Sequence, residues 1–429
     1  MGLNKKQLEA YQHICKGSNV FISGPGGVGK SFLINYLREQ FAKDTIFLAP
    51  TGVAALNIKG STIHSVFKLS THVLTANMCK RSPHKDVIDL FEGNAVKRIV
   101  IDEISMVRSD VFTAIDQTLR RVKRRNVAFG GIQVIIFGDF YQIPPVLTKY
   151  DNAVFYEDYT SPFCFSTESY SSCNFEYVEL DEVVRQTNKE MIDNLQSIRQ
   201  QDSDFRNAVK WFNTNCSPIE KLIEEDPVVL CTTNALAVAQ NKDRYDEIDA
   251  EEHVFNAKIK GNFDDVEPAP RQLKVKVGMK VMMTANDATA GYVNGSVGYV
   301  VKVTPSSIHV MLDPDGYVVV VRPFTWTQYS YVNVGGQVDT NVAGTYTQFP
   351  IKIGYAITIH KSQGQTLDYA LIDFGRGCFA SGQAYVALSR VKTIEGISFV
   401  SGFSPSDVIV DSDIKKFYNN GCRGTLSAI

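Results

Sequence analysis

Residues 24–31 read Gly24-Pro25-Gly26-Gly27-Val28-Gly29-Lys30-Ser31, directly after the apolar run Val20-Phe21-Ile22. The segment fits Gly-x-x-x-x-Gly-Lys-Ser, and a helix-like stretch follows from Phe32 to Phe41. Strand, glycine loop and helix in that order make a phosphate cradle. Glycines let backbone N–H groups curl around phosphate oxygens, and the helix N-terminus adds its positive end. Lys30 would reach the β- and γ-phosphates, and the Ser31 hydroxyl would hold Mg²⁺. A glycine-rich turn with an incidental lysine is the competing reading, and the order of the flanking elements disfavours it. A bound nucleoside triphosphate is therefore expected.

Two further apolar runs end in polar groups suited to that ligand. Lys97-Arg98-Ile99-Val100-Ile101 leads into Asp102-Glu103. Asp102 at a strand end could hold Mg²⁺ through water, and Glu103 could polarise an attacking water as general base. A solvated strand end is the alternative, and the upstream phosphate loop weighs against it. Ile132 to Phe137 leads into Gly138-Asp139-Phe140-Tyr141-Gln142-Ile143-Pro144-Pro145. Gln142, just past a core strand, is placed to sense a γ-phosphate or orient water, against a plain turn stiffened by two prolines.

Other segments are ambiguous when taken alone. Thr51 to Asn57 and Ser61-Thr62-Ile63-His64 carry small polar residues beside an imidazole. They could clamp a sugar-phosphate chain and stack on a base, or be helix N-caps with a buried histidine. Thr358-Ile359-His360-Lys361-Ser362-Gln363-Gly364 offers hydroxyl, imidazole and ammonium groups for phosphate-backbone contacts. Arg390 closes a helical run from Gly382, and Arg185 lies in Val183-Val184-Arg185-Gln186. Either could be an arginine finger on a γ-phosphate or a surface ion pair. Gln7, three residues after Asn4, fits equally a capping-box glutamine and an amide reading an adenine edge. The run Arg120 to Arg125 is read as the solvated end of an amphipathic helix rather than a nucleic-acid patch.

These residues need a frame that sets them side by side. The chain has 429 residues, enough for two to four domains. In its first half, strands at Val20–Ser23, Thr45–Ala49, Lys97–Asp102 and Ile132–Gly138 alternate with helices at Lys5–Lys16, Ser31–Phe41 and Asp110–Arg125. Such alternation predicts a parallel sheet flanked by helices. Residues 68–95 break the pattern as a small insertion. A strand at Val228–Cys231 opens a second α/β unit. From about 275 to 349 short β-rich runs with Asn294-Gly295 and Asp315-Gly316 turns point to an inserted barrel. The formal net charge of −2 excludes a global basic field, so any nucleic-acid site must be a local groove. No apolar run approaches the roughly 20 residues of a membrane helix, and the polar N-terminus is unlike a signal peptide. Eight cysteines without a Cys-x-x-Cys suggest an intracellular, reducing setting with isolated thiols, Cys164 and Cys173 being the one pair that could join under oxidation. Seven histidines in no ligand-spaced cluster predict no structural zinc.

Taken in order, the motifs resemble those of superfamily-one helicases, and more narrowly the PIF-type family of 5′-to-3′ DNA helicases, relatives of the RecD-like group. The resemblance is carried by Thr51–Phe67, Gly138–Val146, Ala356–Asp368 and Tyr385–Val391. It is carried also by the signature-like Asp102 to Val107 with Asp110, Phe112 and Asp116-Gln117, and by Val277–Met283 with Val293–Gly298. Arg108-Ser109 departs from the acidic or glycine pair common in related sequences. The resemblance implies an α/β fold of two RecA-like P-loop domains in tandem, with ATP and Mg²⁺ between them. The first would span 1–67 and 96–178, with a wedge or pin at 68–95. The second would span 179–284 and 346–429, with an SH3-like β-barrel at 285–345. It implies that Gln7 reads adenine, that Gly364 contributes to the nucleotide site, and that Gln142, Arg185 and Arg390 contact the γ-phosphate. Thr51, Asn57, Thr62 and His64, with Thr358, His360 and Lys361, would contact single-stranded DNA. The implied activity is ATP-driven unwinding of forked or tailed duplex by a monomeric motor without a membrane partner. The alternative is a DNA-dependent translocase that remodels protein–DNA complexes. The chain is expected to be a bare helicase core.

Overall fold

The computed structural model describes residues 2–147, 149–263, 267–313 and 316–424. The chain divides into two compact units. One comprises Met1–Glu182, Thr327–Ala343 and Asp411–Ile429, the other Val183–Trp326 and Gly344–Val410.

The first unit is built on six strands: β1 (Val20–Ser23), β2 (Thr45–Ala49), β3 (Ser61–Thr62), β4 (Arg98–Ile101), β5 (Gln133–Phe137) and β6 (Glu176–Glu179). Their order is β3-β2-β4-β5-β1-β6, and every pairing is parallel. β1 and β2 are buried at every position, as unbroken apolar runs must be when both faces of a parallel sheet are covered. Helices Lys5–Cys15, Lys30–Phe41 and Ser109–Lys123 match the expected periods within one or two residues. β6 was not expected, because Glu-Tyr-Val-Glu alternates as a half-exposed edge strand.

The insertion at 68–95 is not a detached loop. It forms short helices at Ala76–Cys79 and Lys85–Phe91. Phe91 stacks on Phe67 with ring centroids 5.2 Å apart, and the Leu74 N–H donates to Asp110 Oδ2 at 2.8 Å. Arg121 donates to the carbonyls of Cys79 and Arg81 at 2.7 and 2.9 Å. Arg120 pairs with buried Asp116 at 2.8 Å. The expected solvated helix end is thus half used as scaffold, because loop carbonyls lacking a strand partner need donors.

In the second unit, Ala356–Thr358, Val228–Cys231, Ala370–Asp373 and Ile397–Phe399 form a parallel sheet in that order. Beside it in sequence lies a five-stranded antiparallel sheet of Val318–Val321, Ile308–Asp313, Val297–Val303, Lys280–Met283 and Ile351–Ile353. Its core includes Val281, Met283, Val300, Ile308 and Val310. Gly295 takes φ 96° in the expected Asn294-Gly295 turn. Asp315 of the second expected turn lies outside the described residues. The antiparallel strands of this unit begin at His253, well before residue 285; His253–Asn256 and Lys258–Gly261 are half-exposed or exposed and carry no apolar run that announces them.

Two segments fall elsewhere than the expected boundaries. Thr327–Ala343, the tip of a hairpin formed by Phe324–Val334 and Gln337–Gln348, groups with the first unit rather than with a barrel at 285–345. The Tyr331 hydroxyl accepts the Phe47 N–H at 3.0 Å and donates to the Phe47 carbonyl at 3.2 Å. β3 pairs only with Leu48 and Ala49, so the hairpin covers the part of β2 that β3 leaves open. The chain from Asp411 also joins the first unit rather than the second. Phe417 of helix Ser412–Asn419 lies against Phe165 at 4.3 Å between centroids, inside a buried aromatic cluster. All eight cysteines are free, Cys164 and Cys173 included.

Candidate active site

The carboxyl ends of β4, β5 and β1, three neighbours in the sheet, bring Asp102-Glu103, Gly138–Gln142 and Gly24–Ser31 together. Ligands of open parallel sheets bind at such ends. The glycine loop leaves β1 with Gly24 at φ 142°, Gly27 at 83° and Gly29 at 85°, which side chains with a Cβ rarely adopt. A Cβ on Gly24 would strike the Leu180 carbonyl, whose own N–H donates to Ser23. Gly29 is the N-cap of Lys30–Phe41, and no side chain caps that helix. First-turn N–H groups without a side-chain cap, together with the helix dipole, make an anion seat. The Lys30 ammonium donates to the carbonyls of Gly24 and Pro25 at 2.6 and 2.8 Å. Ser31, in the first helical turn, is exposed.

Gln7 fulfils one of its two readings outright. Its N–H donates to Asn4 Oδ1 at 2.8 Å, and its Oε1 accepts the Asn4 N–H at 3.0 Å, a complete capping box. Its amide also donates to the Gly29 carbonyl at 3.3 Å. The cap therefore fixes a buried amide against the phosphate loop.

Asp102 is buried, and its Oδ1 accepts the Glu103 N–H at 2.9 Å. Burial and then the Glu103 charge push its carboxyl above the usual range, while the Glu103 N–H and the Lys30 charge oppose them. Glu103 sits at φ 48°, in the left-handed region. Such a conformation is costly without glycine and gathers at functional sites. Gly138 at φ 151° lets β5 pass close by, since a Cβ there would stand 2.9 Å from the Ile104 nitrogen. Beyond it, Asp139 organises the turn. Its Oδ1 accepts the Tyr141 N–H at 3.2 Å, and its carbonyl accepts the Gln142 N–H at 2.9 Å. Gln142 is buried.

The Thr51 and Thr62 hydroxyls cap helices Gly52–Asn57 and Ile63–Phe67, accepting the N–H groups of Ala54 and Ser65 at 3.3 and 3.2 Å. Asn57 is exposed and His64 half-buried. In the second unit, buried Thr358 accepts the Lys361 N–H at 3.3 Å and so closes the turn holding His360. Burial lowers the His360 pKa, and its ring lies nearly parallel to exposed Phe379, centroids 6.5 Å apart. Lys361 is exposed, and Gly364 at φ 79° has open space at its Cβ position. Arg185 and Arg390 meet at one residue. Arg185 donates to the Ser389 carbonyl at 2.9 Å, and Arg390 to the Ser389 hydroxyl at 2.8 Å. Arg390 is fully buried and also donates to Val386, whereas Arg185 is half-buried, with its pKa lowered by burial.

Sequence reasoning missed Asp139 as the turn's organiser, Phe379, and Tyr418. The Tyr418 hydroxyl reaches Ser23, Asp139 and Phe140. Asp139 sat inside a segment already singled out. Tyr418 is nearly 280 residues away and had no local signal. A cavity of about 600 Å³ among Glu92, Lys97, Lys123, Arg124 and Arg125 lies at the opposite, amino ends of β4 and β5.

A family model described as PIF1-like helicase matches residues 2–214. The structure of Bacteroides sp Pif1 in complex with ADP-AlF4 is 32% identical, with a TM-score of 0.88 over 98% of this chain and 97% of that one. The chain belongs to the PIF1-like helicase family. A Bacteroides Pif1 helicase in complex with ADP-AlF3 and ssDNA is likewise 32% identical, with a TM-score of 0.69 over 98% of this chain and 97% of that one. The ATP-dependent DNA helicase PIF1 of Danio rerio is 33% identical across 97% of this chain. This PIF1-like chain spans 63% of that relative's length. Among the described residues no helix is long and apolar enough to cross a membrane.

Proposed function

We propose that the chain is an ATP-dependent DNA helicase that moves 5′-to-3′ along single-stranded DNA and opens forked or tailed duplex as a monomeric motor. The observation that carries this is the meeting of a glycine loop, an Asp-Glu strand end and a glutamine turn at three adjacent strand ends of one sheet. ATP hydrolysis needs those three parts together.

In this reading the N–H groups of Gly24–Ser31 cradle the phosphates. Lys30 exchanges the Gly24 and Pro25 carbonyls for β- and γ-phosphate oxygens. The Ser31 hydroxyl and, through water, Asp102 would hold Mg²⁺, a hard cation that takes one or two protein oxygens plus phosphates. A buried carboxylate pushed toward its neutral form, as Asp102 is, suits a dication that would restore its charge. Mg²⁺, when bound, offsets charge on the transferring phosphoryl oxygens. Glu103 takes the proton of the attacking water, and Gln142 orients that water against the γ-phosphate. Arg185 and Arg390 supply cationic stabilisation, with Arg185 the less deeply buried of the two. Gln7 reads the base while its cap holds the loop, and Gly364 is assigned to the nucleotide.

Thr51, Asn57, Thr62 and His64, with Thr358, His360 and Lys361, are assigned to the DNA strand. Phe379 joins them, because an exposed aromatic beside an imidazole is a sequence-tolerant stacking platform. The antiparallel sheet of the second unit is read as an SH3-like barrel, and residues 68–95 as the wedge.

The test is steady-state ATP hydrolysis with and without single-stranded DNA. Turnover should rise severalfold on DNA, and Lys30→Ala should lower it by about 10²–10³-fold while DNA affinity is retained. Turnover indifferent to DNA, or unimpaired in Lys30→Ala, contradicts the reading.

A further inference from the structure

We propose that Tyr418 is a positioning residue for ATP hydrolysis, acting through the Gln142 turn. This rests on the reading of Gln142 as the group that orients the attacking water.

Helix Ser412–Asn419 is firmly seated in the first unit. Asp411 caps it by accepting the Asp413 N–H at 2.8 Å, and Ile414 and Phe417 are fully buried. Phe417 packs against Phe21, Phe140, Phe165 and Tyr170. The next residue turns toward the nucleotide end of the sheet. The Tyr418 ring lies flat on Tyr141, centroids 4.5 Å apart and planes 8° from parallel.

The hydroxyl does what the ring cannot. It accepts the N–H of fully buried Phe140 at 3.2 Å, shares a hydrogen bond with Ser23 Oγ at 3.1 Å, and stands 3.5 Å from Asp139 Oδ1. Ser23 is the last residue of β1 before Gly24, the first glycine of the phosphate loop. Asp139 and Phe140 begin the turn that carries Gln142, and Asp139 already holds the N–H groups of Tyr141 and Gln142. One phenol oxygen thus joins the root of the phosphate loop to the root of the Gln142 turn. Those roots set the distance between the γ-phosphate seat and the glutamine. Misplacement by about 1 Å at such a distance can cost on the order of 10²-fold in rate. A ring serving only to pack would need no oxygen here. Tyr418→Phe keeps the stacking and the buried aromatic surface and removes only the hydroxyl.

The experiment is a double-mutant cycle on DNA-stimulated ATPase, with wild type, Tyr418→Phe, Gln142→Ala and the double variant. Tyr418→Phe should lower kcat by roughly 5–20-fold, within the range expected for a loosened supporting shell. KM for ATP should stay close to wild type, and the melting temperature should fall only modestly, because the buried Phe140 N–H loses its acceptor. In the Gln142→Ala background the same substitution should add little, because the hydroxyl would have nothing left to position. Unchanged kcat in Tyr418→Phe overturns the proposal. So does an equal loss in both backgrounds, or a loss that disappears when turnover is counted per folded molecule. Full kcat in Gln142→Ala overturns the assignment of Gln142 itself, and this proposal with it.

Discussion

Glu103 shows how the site trades backbone comfort for chemistry. Its φ of 48° costs a non-glycine residue on the order of 1–3 kcal/mol. The turn is held there by Asp102 Oδ1 on its N–H and by Gly138 passing against Ile104. Glu103→Gln keeps the size of the side chain but removes the proposed base. It should lower kcat by about 10²–10⁴-fold and leave ATP affinity near wild type, as read by fluorescent-nucleotide titration. Wild-type turnover in Glu103→Gln would move the base elsewhere. The residues of the phosphate loop, the Asp-Glu pair and Gln142 were legible because each lies within a few positions of an apolar run that fixes its place. The full burial of Arg390, the contact of Gln7 with the Gly29 carbonyl and the reach of Tyr418 were not. They depend on partners far along the chain, and spacing carries no information about those.

Helix Ser109–Lys123 bears part of the signature-like segment, and its acids serve the fold. Asp116 is buried and accepts from Arg120 at 2.8 Å, from the Phe129 N–H at 2.6 Å and from the Ser169 hydroxyl at 2.8 Å. Asp110 holds Arg108 at 2.7 Å and the Leu74 N–H at 2.8 Å. Arg108 thus has a local acid of its own. Asp116→Ala strands three donors, and a broken buried pair costs about 3 kcal/mol or more. Urea unfolding should show that loss, while turnover per folded molecule at low temperature stays near wild type. Lost turnover with an unmoved unfolding midpoint would make Asp116 part of the chemistry. Among strands, β1 and β2 were legible to their end residues, because parallel strands covered on both faces read as unbroken apolar runs. β6, His253–Asn256 and Lys258–Gly261 were not, since exposed edge strands alternate weakly. The hairpin tip at Thr327–Ala343 was placed by hydrogen bonds to Phe47 and Ser61 that no local pattern announces.

Among the described residues the chain carries two parallel sheets, each with candidate site residues at strand ends. In the first unit these are the groups proposed for the nucleotide. In the second, Thr358–Lys361 follow the strand Ala356–Thr358, and Arg390 with Arg185 brackets Ser389. A net charge of −2 gives no general attraction to DNA, so the proposed binding must come from a few placed contacts and stacking rings. Those contacts confer direction only if ATP turnover changes them in a fixed order, and strand polarity is where that order becomes visible. The most direct test is ATP-dependent unwinding of two duplexes, alike except that one has a 5′ single-stranded tail and the other a 3′ tail. The 5′-tailed duplex should be opened in the presence of ATP and Mg²⁺, and the 3′-tailed one left intact. Opening of the 3′-tailed duplex alone, or of neither, would contradict a 5′-to-3′ helicase.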